Sequence, residues 1–221
     1  MGRNFRRLKC LISEAKLQEA PIIDALILCG GRAERMGGMD KGLIELHHKP
    51  LVTWVIERIK PQVRQILINA NRNQEIYSQW GYPIFPDATP DYAGPLAGFQ
   101  AGLSATRAEY LLVVPCDSPL VPINLVRELF RGFDSEQTQL TYVATPVISE
   151  DGETSFQTHP VFCLMKSNVL PSLNNFIHSG QRKIDKWFKE LHSVQIVFND
   201  DSAFANINSP DELKEITQKL C

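Results

Sequence analysis

Glycines and cations crowd one short stretch of the chain. Leu28-Cys29-Gly30-Gly31 leads through Arg35 and Gly37-Gly38 to Asp40-Lys41-Gly42. Glycines let a backbone turn sharply and approach a ligand closely. Successive N–H groups in such a loop form a nest for anions. Arg35 and Lys41 add positive charge, and the Arg35 fork suits a pyrophosphate; it could also pair with Glu34 or Asp40. Together these residues suit a triphosphate. Two other loops fail on the letters. A Walker loop needs Ser or Thr after its Lys, but Gly42 follows Lys41, and a dinucleotide fingerprint needs a G-x-G that this loop lacks.

Three further residues stand where strands should end. Asp117 follows the apolar run Tyr110–Val114 through Pro115-Cys116. A carboxylate there can hold Mg²⁺, which takes one or two carboxylates together with phosphate oxygens and water. It can equally cap a segment starting at Pro119. Asn69 and Asp87 close two other strand-like runs, where they serve either as turn residues or as fixed partners for a base or ribose.

The elements that would carry these residues alternate. Strand-like runs at 22–28, 65–69, 82–85 and 110–114 are interleaved with helical patterns from Pro50 to Pro61, 72–80, 94–106 and 123–130. That order predicts a mostly parallel sheet with helices on both faces. Ligands in such folds bind at the carboxyl ends of the strands. The second half is less regular. Strands are expected at 140–147, 159–164 and 194–198, and helices at 167–176 and 181–191. Ser209-Pro210-Asp211-Glu212 reads as a capping box that opens a last helix. The expected architecture is a three-layer α/β/α sandwich, doubly wound and mostly parallel, with room for an antiparallel strand late in the chain. Residues 21–221 read as one domain, its first half binding nucleotide and its second half facing the acceptor. Residues 1–20 read as a loosely docked extension.

Composition sets outer bounds. The 221 residues carry a net charge of −2, so no bulk attraction to nucleic acid is expected and any phosphate site must be local. Cys10, Cys29, Cys116, Cys163 and Cys221 form no CxxC pair, which fits free thiols in a reducing cytoplasm. No run approaches the roughly 20 apolar residues that span a bilayer. No His/Cys spacing suggests zinc, and His47 and His48 read as surface turn residues.

LCGGRAERMGGMDKGL (residues 28–43) resembles the signature of nucleotidyltransferases that activate with an NTP and release pyrophosphate. Its Asp40-Lys41-Gly42 ending is similar to the molybdenum cofactor guanylyltransferase family in particular. INANRNQEIY (68–77), PDATPDYAGPLAG (86–98), VPCDSPLVP (114–122), THP (158–160) and NINSPDEL (206–213) match in order, so the resemblance spans about residues 23–215. It implies a fold like the nucleotide-diphospho-sugar transferases. The implied reaction is transfer of GMP from Mg·GTP to the terminal phosphate of molybdopterin, with Mn²⁺ able to replace Mg²⁺. Leu28, Cys29, Gly30, Lys41, Asn69, Asp87 and Asp117 are implied to contact nucleotide. Lys41, Arg35 and Asp117 are implied in catalysis, and Asp117 as the metal ligand. Gly94, Gly98, His159, Arg182, Lys183, Asn206 and Asn208 are candidates on the acceptor side. Gly94 and Gly98 could instead be plain helix-start residues, Arg182 and Lys183 one solvated helix face, and Asn206 and Asn208 a capped loop. Two alternatives stay open: transfer of CMP, or of a nucleotide to a sugar phosphate, on the same fold; and a GTP-binding carrier without catalysis. Transient contacts with cofactor-synthesis proteins or molybdoenzymes are expected, and none with nucleic acid or membrane.

Overall fold

β1 (Ile23–Leu28) sends alternate side chains into two separate apolar layers, as the two-residue period of a strand requires. Ile23, Ala25 and Ile27 join one core and Leu26 the other. β4 (Gln65–Asn69) and β6 (Tyr110–Pro115) flank β1 in parallel, in register Ile27↔Ile68 and Ile27↔Val114, and divide their side chains the same way. The computed structural model that provides these coordinates describes residues 21–30, 40–87, 94–149, 151–207 and 209–219. Arg35, Asn208 and the extension 1–20 lie outside the described residues.

Helices cover both faces. α1 (Leu51–Ile59) buries Val52, Val55, Ile56 and Ile59 against the first core, at the i, i+3, i+4, i+7 spacing of an amphipathic helix. Each such side chain contributes about 1.5–3 kcal/mol when fully buried, so a charge at Val55 would open this layer. α2 (Gln74–Tyr77) adds Tyr77, and α4 (Leu125–Phe130) adds Leu125, Val126 and Leu129. On the other face, α3 (Pro95–Ala105), α5 (Leu170–His178) and α6 (Ile184–Phe188) bring Leu96, Phe99, Leu103, Leu173, Phe176 and Trp187 to the second core. The three-layer sandwich follows from these two cores.

The seven-stranded sheet runs β5-β4-β1-β6-β8-β7-β9, with β5 at Ile84–Phe85, β7 at Leu140–Ile148, β8 at Thr154–Lys166 and β9 at Ser193–Val197. β8 is antiparallel to β6 and β7, and β9 is parallel to β7, so β8 alone is reversed in this sheet. The chain builds outward from β1 through β4 to β5, then crosses to β6 on the other side. The carboxyl ends of β4, β1 and β6 therefore flank the switch in winding direction, where doubly wound folds bind their ligands.

Some boundaries differ from expectation for local reasons. The helix expected over 72–80 is α2 followed by a 3-10 turn at Ser78–Trp80, because Asn73 stands in the left-handed region at φ 51. β8 begins at Thr154 rather than 159; its first residues are exposed, so no alternation marks them. A small hairpin, β2 (Glu45–Leu46) and β3 (Lys49–Pro50), turns at His47 and His48, both exposed and both at positive φ. α7 (Pro210–Lys219) starts as its capping residues require: Ser209 Oγ accepts from the Glu212 N–H at 3.2 Å. Ile216 packs with Leu46, Leu51 and Ile207, closing α7 over the hairpin. Among the described residues no helix is long and apolar enough to cross a membrane.

Candidate functional site

The three central strands end together. Leu28 is level with Asn69 on one side and Pro115 on the other, and the backbone continues the pairing: Cys29 N–H donates to Asn69 O at 2.8 Å and Cys116 N–H to Leu28 O at 3.1 Å. Asp117 therefore lies two residues past the last paired position of β6, Pro115. The stiff apolar strand fixes it, and Ile207 N–H ties its carbonyl to the chain before α7 at 2.9 Å.

Asp117 is buried and meets the Lys41 ammonium, which is about one-third exposed, at 3.2 Å. Burial pushes the Asp117 carboxyl above the usual carboxylate range, and Lys41 opposes that rise without cancelling it. The site thus holds a carboxylate that gains from a further cation. Lys41 is carried by a 3-10 turn, Lys41–Leu43, whose N-cap is Asp40. The Asp40 oxygens are engaged elsewhere, accepting from the Tyr77 hydroxyl at 2.6 Å, the Gly42 N–H at 3.2 Å and Asn73 Nδ2 at 3.0 Å.

Beyond β4 the second cluster forms. Asn69 Nδ2 donates to Asp87 Oδ1 at 2.9 Å and to Phe85 O at 3.1 Å. Asn71 Nδ2 donates to Asp87 Oδ2 at 2.8 Å, while its own Oδ1 accepts from the Asp87 N–H at 2.8 Å. Both carboxylate oxygens of Asp87 are thereby fixed in direction. Gly30 lies against Asn69 and Asn71, and Gly98 of α3 presses on the same group: a Cβ at Gly98 would stand 2.6 Å from both Asn69 Oδ1 and a Leu28 methyl. A side chain there would have to displace the ends of Asn69 and Leu28, so α3 packs closely on the strand-end side chains. Leu28, Cys29, Gly30, Asn69, Asp87 and Gly98 thus form one cluster, with Lys41 and Asp117 beside it.

The remaining expected residues are more scattered. Asn206 accepts from Ser118 Oγ at 2.6 Å, next to Asp117. His159 lies beside the Phe162 and Phe204 rings, with Nε2 at 2.9 Å from Thr145 Oγ1 and 3.3 Å from Asp201 Oδ1. Burial pushes the His159 imidazole below its ordinary range, with Asp201 pulling the other way. A neutral His159 can donate or accept one hydrogen bond but brings no charge to a phosphate. Gly94 is the N-cap of α3. Arg182 and Lys183 are exposed between α5 and α6, and Arg182 donates to the carbonyls of Ile177 and Gln181, both at 2.8 Å.

Sequence reasoning missed Asn71, Tyr77, Asn73, Thr145 and Asp201. Only Asn69-x-Asn71-x-Asn73 offered a signal: polar amides repeated every second residue just past a buried strand. Among the described residues no group of three or more His, Cys, Asp and Glu could hold an ion unaided. One buried carboxylate at a strand end is nevertheless a donor set that Mg²⁺ accepts when phosphate oxygens and water complete its shell. Chemically, the arrangement can offset phosphate charge at Lys41, ligate a divalent cation at Asp117, and hold a donor-rich base or ribose at Asp87.

Comparison with known proteins covers most of the chain. A family profile described as a MobA-like NTP transferase domain matches residues 25–194. A molybdenum cofactor guanylyltransferase of Polynucleobacter asymbioticus is 52% identical over 198 residues, covering 90% of this chain and 97% of the relative. One from Shewanella loihica is 44% identical, covering 91% and 98%. Among solved structures, molybdopterin-guanine dinucleotide biosynthesis protein A from Archaeoglobus fulgidus superposes with a TM-score of 0.71 at 22% identity, over 89% of this chain and 98% of that one. A 4-diphosphocytidyl-2C-methyl-D-erythritol synthase from Anaerococcus prevotii gives 0.69 at 11% identity, covering 90% and 96%. At such identities these two structures bear on the fold alone.

Proposed function

This chain belongs to the molybdenum cofactor guanylyltransferase family of MobA-like NTP transferases, and we infer that it transfers GMP from GTP to the terminal phosphate of molybdopterin. The products are molybdopterin guanine dinucleotide and pyrophosphate. The observation that carries the reading is the Lys41–Asp117 pair at the carboxyl end of β6, 3.2 Å apart beside the Asn69–Asp87 cluster.

A phosphate oxygen of the acceptor forms the new bond to the α-phosphorus, and the bond to the pyrophosphate oxygen breaks. That nucleophile is already an anion, so no side chain need remove a proton. What the chain must do is position the reactants and offset charge. Asp117 is the residue to hold Mg²⁺, with Mn²⁺ as substitute. When bound, such an ion neutralises charge on the triphosphate and orients it. Lys41 stabilises the charge that grows on the phosphate oxygens in the transition state, and Arg35 serves the leaving pyrophosphate. Leu28, Cys29 and Gly30 approach the nucleotide with backbone.

Asp87 suits guanine because a carboxylate with both oxygens fixed can accept from N1–H and N2–H together. Cytosine has no such donor pair. The acceptor lies toward Gly94, Gly98, His159, Arg182, Lys183, Asn206 and Asn208. The setting is the cytoplasm, where the buried thiols Cys29, Cys116 and Cys163 stay reduced, with transient contacts to cofactor-synthesis proteins and molybdoenzymes.

Pyrophosphate release tests the reading. Purified protein, Mg²⁺ and molybdopterin are offered GTP, CTP, ATP and UTP in parallel. Release with GTP alone is expected. Release with CTP instead would transfer the protein to the cytidylyl reaction, and GTP binding without release would make it a carrier.

A further inference from the structure

We propose that Tyr77 is a positioning residue for Lys41 and acts through the Asp40 carboxylate. The inference rests on the role given above to Lys41. Tyr77 is fully buried at the end of α2, where its ring could be replaced by Phe as far as packing goes. Its hydroxyl is what packing leaves unexplained. A buried phenol needs a partner, and this one takes a charged acceptor on the turn that carries Lys41, Asp40 Oδ1 at 2.6 Å.

The same oxygen accepts from the Gly42 N–H at 3.2 Å, so one carboxylate oxygen links Tyr77 to both sides of Lys41. Asn73 Nδ2 holds the other oxygen at 3.0 Å. The turn then closes on itself, with Leu43 N–H donating to Asp40 O at 3.0 Å and Ile44 N–H to Lys41 O at 3.2 Å. Gly42 seats directly on the hydroxyl: a Cβ there would stand 2.5 Å from Tyr77 Oη and 3.1 Å from Cys116 Sγ. Burial, with Cys29, Cys116 and Asp40 nearby, pushes the phenol above its ordinary range and keeps it a donor. The backbone on either side of Lys41 is thus fixed, which leaves its flexible stem as the main remaining freedom between the turn and Asp117.

Charge-assisted bonds of this kind are about twice as strong as neutral ones, and a misplaced catalytic group costs rate rather than ground-state affinity. A double-mutant cycle separates positioning from packing. Tyr77→Phe should lower kcat for GMP transfer about tenfold or more and leave KM for GTP within about threefold. In a Lys41→Ala background, the same substitution should change kcat less than about twofold. Asp40→Asn, which keeps an oxygen for Tyr77 and Gly42, should retain more activity than Asp40→Ala.

A second readout needs no turnover. Acetic anhydride labelling of Lys41, followed by peptide mass spectrometry, should quicken severalfold in Tyr77→Phe. Wild-type kcat in Tyr77→Phe, or an equal drop in both backgrounds, would overturn the inference; partial unfolding would give that equal drop. If the wild-type protein transfers nothing, the proposed reaction fails, and the labelling rate of Lys41 then decides this inference: an unchanged rate overturns it.

Discussion

Asp24 and Asp117 are both buried aspartates, at opposite strand-end edges of the sheet: one at the amino end of β1, the other past the carboxyl end of the neighbouring β6. Asp24, near the start of β1, accepts both arms of the Arg64 fork at 3.0 and 2.9 Å and the Thr106 hydroxyl at 2.7 Å. Asp117, just past the end of β6, has the Lys41 ammonium at 3.2 Å as its side-chain cation. The first is built as a bidentate pair, the geometry that best repays desolvation. The second keeps a point charge on a flexible stem and stays above the usual carboxylate range because burial outweighs that partner. A carboxylate whose needs are met holds the fold together. One that is left in want of a cation is suited to a ligand.

Substitutions at the two edges should therefore separate activity from stability. The largest effect is expected at Asp117→Ala, which should reduce Mg²⁺-dependent pyrophosphate release by about 10³-fold or more, beyond the usual cost of one lost transition-state contact. Near-normal turnover in that variant would remove Asp117 from the mechanism. Lys41→Ala should follow at about 10²-fold in kcat. At the other edge, Arg64→Met leaves the Asp24 charge buried without its fork. Stability should fall by about 3 kcal/mol, or roughly 6–12 °C in Tm for a chain of this size, while the activity of the folded molecules stays at the wild-type level. Lost specific activity with an unchanged melt would invert the assignment of the two edges.

The smallest effect lies with His159. Its folded pKa is lowered, so the stability it gives is whole above the ordinary histidine value, about 6.5, and is lost as pH falls through the folded value. Melts of the wild type should weaken on acidification more than those of His159→Gln, and identical acid limbs would show that burial there carries no cost.

The candidate site at the carboxyl ends of the strands was legible because single residues announce it. Cys29-Gly30 directly follow β1, Asp117 comes two residues after β6, and Lys41 follows a run of glycines. Most of what supports them was not, because it depends on pairs distant in sequence. Asn71 meets Asp87 across 16 positions, and Tyr77 meets Asp40 across 37. Asp40 offered itself only as one of two alternative partners for Arg35, which lies outside the described residues, and nothing in the sequence marked it as the cap that the turn uses. Thr145 and Asp201 joined no pattern, since β7 and the turn after β9 become neighbours only when the sheet forms. The order β8-β7 was equally out of reach, because nothing in a strand's own residues names its neighbour.

The most direct measurement is thermal melting of wild type and Asp117→Asn at pH 7, each with and without Mg·GTP. The folded pKa of Asp117 is raised, so the stability this group gives is whole below the ordinary carboxylate value, about 3.9, and is lost as pH rises through the folded value. Neutral Asn should therefore melt at or above the wild type without ligand. Saturating Mg·GTP at about 100 times Kd should stabilise the wild type by about 2.7 kcal/mol, and adding Mg²⁺ to GTP should give Asp117→Asn little or none of that gain. An Asp117→Asn protein that melts far below wild type, or that gains the full Mg²⁺-dependent increment, would contradict a ligand-holding carboxylate at the end of β6.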